Sequence, residues 1–209
     1  MKIQIGAGSK PLEGFVNVEP RATTQPGYRW GHAFDLSFAE DNSVDVIFGN
    51  AFFEHLYLCQ VGLAITEWKR VLKPDGQLVV LGIPDFASIA RLYLDKAPGI
   101  TLPTFDIFEV YRYTHGFPEA HLDPRIWPQW SPSEHLNDAP HEWLPQLHKG
   151  IYDAELLFGL FHHGGFDDIM VASYAWPGET HATNLAVFTP DADVERFEGF
   201  VDFDSWELW

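Results

Sequence analysis

Residues Gln77 to Ile83, QLVVLGI, form an almost unbroken apolar run. A strand with one wet face alternates apolar and polar residues, whereas a strand covered on both faces does not, and helices on both sides of a parallel sheet give that cover. The run is therefore expected to be the central strand of an α/β sheet. Upstream, Val61, Ala64, Ile65, Trp68, Val71 and Leu72 recur at intervals of three and four, which puts them on one helix face. Lys69, Arg70 and Lys73 suit the negative end of that helix, and Pro74-Asp75-Gly76 is expected to stop it. Downstream, Pro84-Asp85 ends the strand, and Phe86, Ile89, Ala90, Leu92 and Tyr93 open another helix.

The flanking segments fit the same architecture. Ile3 and Ile5 predict a strand entering a tight turn at Gly6, and Phe15 to Val18 a second strand ending in Glu19. The six residues between Gly8 and Phe15 are too few for a crossover helix, so this connection is expected to be abbreviated. His32 to Leu36 reads as another strand end. Asp41-Asn42-Ser43 reads as a turn before a strand carrying Val44, Val46, Ile47 and Phe48. Further on, Phe105 to Tyr113 suggests an aromatic helix. Six prolines between Pro118 and Pro145 mark irregular chain. A helix is expected over Ala154 to Phe161, then strands over Asp168 to Ala175 and Asn184 to Thr189 with a turn at Pro177-Gly178.

With 209 residues and 46% hydrophobic side chains, the chain suits one domain, 1–209, with 98–150 as an insertion or cap and 190–209 as an acidic aromatic tail that docks on the core or mediates self-association, for example as a homodimer. Thirty acidic against 13 basic residues give a net charge of −17, which argues against nucleic acid. No apolar run reaches the roughly 20 residues needed for a membrane span, and the N-terminus lacks leader features. The single cysteine, Cys59, excludes an internal disulfide and a thiolate metal cluster, and points to the cytoplasm.

The chemistry begins at Gly6-Ala7-Gly8, a turn that lets backbone approach a ligand, followed by Glu19, a carboxylate placed to accept both hydroxyls of a ribose. A nicotinamide dinucleotide site expects a third glycine and an acid about 20 residues on; here Ser9-Lys10 stand instead, and Glu19 comes 13 positions after Gly6. Three segments in order, IQIGAGSKPLEGFVNVEP, FDLSFAEDNSVDVIFGNAFFEHL and EWKRVLKPDGQLVVLGIPDF, resemble class I methyltransferases that use S-adenosylmethionine, in particular compact bacterial ones with an abbreviated glycine motif. The resemblance spans about residues 1 to 95 and returns near 150 to 189. It implies a Rossmann-like sheet closing on a terminal antiparallel strand pair, interrupted by the irregular aromatic and histidine-rich insertion. It also implies an adenosine contact in the segment Asp35-Leu36, and Phe48, Gly49 and Asn50 near the donor's methionine end. The function expected is methyl transfer to a small-molecule or glycan-linked acceptor, at oxygen.

A hydroxyl acceptor must lose a proton during the transfer. His55, in the Glu54-His55 pair of the loop after Phe48, and Asp85, just past the central strand, are candidate bases, and His141 and His148 are candidates from the insertion. Each has a structural reading too: Asp85 as the cap of the next helix, the histidines as hydrogen-bonded anchors. No metal is expected, because His115, His121, His135, His141 and His148 show no ligand spacing. Two other readings remain at this point: a non-catalytic binding or assembly protein on the same scaffold, and a nicotinamide or nucleotide-sugar enzyme.

Overall fold

A computed structural model describes residues 1–20, 26–95, 110, 114, 148–177, 181–201 and 206–208. Eight strands form one sheet: β1 (Lys2–Ile5), β2 (Val16–Glu19), β3 (Tyr28–Trp30), β4 (Val44–Asn50), β5 (Leu72–Pro84), β6 (Met170–Tyr174), β7 (Asn184–Phe188) and β8 (Glu207–Leu208). Their order is β3-β2-β1-β4-β5-β7-β6-β8. The first five are parallel, and β7, β6 and β8 add on antiparallel, giving the expected α/β sheet with a terminal antiparallel pair. Among the described residues, helices run over Leu58–Val71 (α1), Phe86–Asp95 (α2) and Ala154–His163 (α3). Among the described residues no helix is long and apolar enough to cross a membrane.

The central strand is β5, and Leu78 to Leu81 are each 0 or 1% exposed, as an all-apolar run requires. On one sheet face Ile3, Ile5, Val18 and Ile47 pack against Trp68 and Ile65 of α1 and Phe161 of α3. The Trp68 indole nitrogen, fully buried, donates to the Ala33 carbonyl at 2.8 Å.

The opposite face is covered differently, because no helix intervenes between β1 and β2. Two buried amides organise that connection. Gln4 accepts from the Leu12 amide at 2.7 Å and donates to the Lys10 carbonyl at 3.0 Å, while Asn17 donates to the Leu12 and Gly27 carbonyls, both at 3.2 Å. Side chains thus satisfy backbone groups that a helix would have paired internally. The tail completes the cover: Phe197, in a 3-10 segment over Val194–Phe200, stacks on Phe48 at 4.0 Å, and Trp206 stacks on Tyr174 at 5.8 Å. Phe197, Val201 and Trp206 of the tail thus pack on this sheet face, while Leu208 is exposed.

Two local expectations are corrected. Residues 32–36 form a turn bridged between His32 and Asp35, and the strand lies earlier at Tyr28–Trp30. Pro74-Asp75-Gly76 does not separate helix from strand: α1 passes directly into β5 at Leu72, which pairs with Val44, and the next pair is Val46 with Gln77. The proline-glycine segment is extruded as a bulge, since Pro cannot donate to the ladder. The expected helix at Phe105 to Tyr113 and the proline-rich stretch lie outside the described residues, apart from Val110, which is helical.

Candidate active site

The sheet order reverses between β1 and β4, and at such a point the loops beyond the two strands diverge and leave a crevice. A cavity of about 380 Å³ opens there. That volume falls in the range of roughly 300–1,000 Å³ usual for small-ligand sites.

One wall comes from the ends of β1 and β2. Gly6 borders the cavity with φ +64°, a left-handed conformation. A Cβ there would come within 2.6 Å of Phe52 Cβ. Glu19 also borders the cavity, although its side chain is only 4% exposed, and its Oε2 accepts the Gly8 amide at 2.9 Å. Ala7 is buried behind, and the Gly8 carbonyl accepts from the Tyr28 hydroxyl at 2.9 Å. The turn and Glu19 are thus linked: from the end of β2 the acid holds the turn that follows β1 through the Gly8 amide. A second wall is Gly31, His32, Ala33 and Phe34, with the His32 and Phe34 rings stacked at 5.0 Å.

The third wall follows β4. Ala51 turns with φ +49°, a costly angle for a residue with a Cβ, and its amide donates to the Leu81 carbonyl at 2.9 Å. Phe52, His55, Tyr57 and Gln60 complete this side, and Lys149 arrives from far along the chain. The Lys149 amide donates to the Glu54 carbonyl at 2.7 Å, and this bond brings its neighbour His148 against the loop. Half-burial holds the Lys149 ammonium below its ordinary pKa.

Glu54 lies beneath. It is 2% exposed, and burial pushes its carboxyl up to about 8. Its Oε1 is 3.5 Å from His55 Nε2 and 3.9 Å from His148 Nε2, and its Oε2 is buried with no hydrogen-bond partner. The two imidazoles meet edge to face at 5.0 Å.

Gly6, Glu19 and His55 of the expected site therefore border one cavity, and His148 joins His55 over Glu54. Others are placed elsewhere. Asp35 is exposed, and its hydrogen bonds from Ser37 hold its carboxyl below the usual range. Leu36 is core, its amide donating to Glu67 at 2.9 Å, and Phe48 points to the face covered by the tail. Gly49 lies under the Phe52 ring, and Asn50 ends β4 with a buried, unpartnered Oδ1. Asp85 is fully buried at the start of α2, accepting from the Ala87 and Ser88 amides at 3.1 and 3.3 Å and from the Ser88 hydroxyl. His141 lies outside the described residues.

The sequence reading missed His32, Ala33 and Phe34, although they immediately precede Asp35 in the segment it singled out. Nor did it assign Phe52, Tyr57 or Gln60; bulky and polar residues at a loop and helix start carry no signal that separates lining from packing.

Comparison with known proteins places this geometry in context. A family model described as a methyltransferase domain matches residues 12–80. Solved structures share the fold at low identity. A SAM-dependent methyltransferase from Thermotoga maritima is 15% identical, with 90% of this chain and 80% of that one covered at a TM-score of 0.51. One from Archaeoglobus fulgidus is 12% identical, with 90% and 84% covered at 0.52. One from Methanosarcina mazei is 14% identical, with 90% of both chains covered at 0.50. No curated protein matches in sequence.

Proposed function

We propose that this chain is a class I S-adenosylmethionine-dependent methyltransferase, a reading supported by the methyltransferase-domain model over residues 12–80 and by the shared fold, and that it methylates a hydroxyl oxygen on a small-molecule or glycan-linked acceptor. The observation that carries this reading is that a buried carboxylate, Glu19 at the end of β2, and an imidazole, His55 in the 3-10 turn after β4, border the same cavity from either side of β1.

The residues fit the donor. Gly6 permits close approach of a ligand to backbone, and the Glu19 carboxylate is placed to accept two ribose hydroxyls. His32, Ala33 and Phe34 offer a flat, mostly apolar wall for the adenine. Asn50, with its unpartnered Oδ1 beside the lining residue Ala51, faces the donor's amino-acid end in this reading. Ala7 and Gly8 shape the turn, Gly49 makes room for Phe52, and Asp35, Leu36 and Phe48 support the fold.

Bound S-adenosylmethionine supplies a methyl group already activated on a sulfonium. The chain's task is then to align the acceptor and remove its proton. His55 and His148 are assigned that proton, with Glu54 fixing their approach. Asp85 is given no such part, because its carboxylate is committed to α2. The acidic, single-cysteine chain supports a cytoplasmic setting.

Calorimetric titration with S-adenosylmethionine and S-adenosylhomocysteine tests the donor half, with a nicotinamide cofactor as control. Saturable binding of the two adenosyl ligands alone is expected; preference for the nicotinamide cofactor overturns the reading. Release of S-adenosylhomocysteine across hydroxyl and amine acceptors then tests the oxygen assignment.

A further inference from the structure

The contacts within the Glu54, His55 and His148 cluster are longer than hydrogen bonds. An N–H donor sits about 2.7–3.2 Å from its oxygen acceptor, but Glu54 Oε1 stands 3.5 and 3.9 Å from the two Nε2 atoms. Ligands of one tetrahedral zinc-like ion, each about 2.0–2.1 Å from it, stand roughly 3.3–3.5 Å apart. All three ligand atoms here already lie within 4.8 Å of one another. A second observation is independent of these distances. Glu54 Oε2 is buried without any hydrogen-bond partner, although buried carboxylate oxygens are seldom left unsatisfied.

We propose that Glu54, His55 and His148 bind one divalent transition-metal ion at the edge of the cavity. Two imidazoles and one carboxylate suit zinc, cobalt or iron(II) and disfavour magnesium and calcium, which take oxygen ligands. Three protein ligands leave a coordination position open. Because His55 also borders the cavity, that position is directed to a ligand bound there. This deepens the reading of the cavity as a methyl-transfer site: the open position would take the acceptor's oxygen and acidify its hydroxyl, the proton leaving to solvent water at the cavity mouth, after which the oxygen bonds to the methyl carbon as the carbon–sulfur bond breaks to release S-adenosylhomocysteine. In the metal-loaded protein the imidazoles act as ligands; in the metal-free protein an imidazole takes the proton itself. Spacing along the chain gives no hint of this site, because His148 lies 94 positions from Glu54 in the chain, with its neighbour Lys149 tied there by a backbone bond.

The test uses the full chain stripped with a chelator and titrated with cobalt(II), read by visible absorption and calorimetry, with zinc(II) as competitor. One equivalent is expected, with a low-symmetry cobalt spectrum displaced by zinc. Loss of an outer-shell partner alone typically costs about 10–100-fold in metal affinity, so His55→Ala, His148→Ala and Glu54→Gln should each weaken binding by at least about that much. His148→Cys keeps a ligand and should add a thiolate charge-transfer band, which a misfolded variant would not show. No stoichiometric binding by folded protein overturns the proposal, as does binding that all four substitutions leave unchanged. Titration of the same samples with S-adenosylhomocysteine separates the two readings: donor binding without cobalt binding sinks the metal site alone, and cobalt without donor sinks the methyltransfer reading.

Discussion

The ring of Phe52 occupies the space beside Gly49 that a side chain would need: a Cβ on Gly49 would come 2.1 Å from Phe52 Cε1. The same residue stands against Gly6, so one aromatic side chain joins the ends of β1 and β4 at the floor of the cavity. The glycines of the sequence motif therefore serve packing as well as ligand approach.

Gly49→Ala must displace that ring. It should destabilise the fold by about 1–3 kcal/mol, the usual cost of overpacking a filled site, and lower affinity for S-adenosylhomocysteine. Adding Phe52→Val should recover much of the stability, so that the pair is less destabilised than the sum of the singles. Chemical denaturation of the four proteins measures this; strict additivity would mean that the ring and Gly49 are not coupled.

Glu19→Ala removes the carboxylate that faces the cavity and leaves the Gly8 amide without its acceptor. Hydrogen bonds to charged groups contribute about 1.5–3 kcal/mol, so affinity for S-adenosylhomocysteine should drop by roughly 10–150-fold. Calorimetry reads the change, and unaltered affinity would remove Glu19 from the donor site.

Asp85 behaves as a cap in this fold. Asp85→Ala strips the first turn of α2 of its acceptor and should cost about 0.5–2 kcal/mol of stability, with S-adenosylhomocysteine affinity unchanged. A fall in methyl-transfer rate much larger than any loss of folded protein would instead return Asp85 to the list of bases.

Glu67 ties α1 to the loop that leads from the cavity wall of His32, Ala33 and Phe34. It accepts from the Leu36 amide and from Arg70, and the Arg70 guanidinium, the largest influence, holds its carboxyl below the ordinary value of 4.5. A carboxyl lowered in the folded state adds stability that is present above its unfolded pKa and lost as pH falls through the folded one. Stability of the native chain should therefore decline more steeply below about pH 4.5 than that of Glu67→Gln. Acid unfolding curves that run parallel would show that the pair contributes nothing to this dependence.

Periodicity and apolar runs, read from the sequence alone, determined much of the scaffold. The unbroken QLVVLGI run announces a strand covered on both faces, the three-four spacing of Val61 to Val71 announces α1, and the short Gly8 to Phe15 link rules out a first crossover helix. These are local signals, because burial on a face repeats with the geometry of the element itself. That Glu19 and His55 stand beside the cavity was legible for a related reason: strand ends at the sheet's switch point are where such a fold opens a crevice.

Tertiary structure decided what depends on distant partners. Only folding shows that the tail covers the sheet face left without a helix, that Asp35 faces outward while His32 borders the cavity, and that Asp85 is consumed by its cap. It also seats His148 beside Glu54, 94 positions away in the chain, and encloses that carboxyl so fully that it resists ionisation. A residue's burial and its partners belong to the packed arrangement of all elements, and no spacing within one segment encodes them.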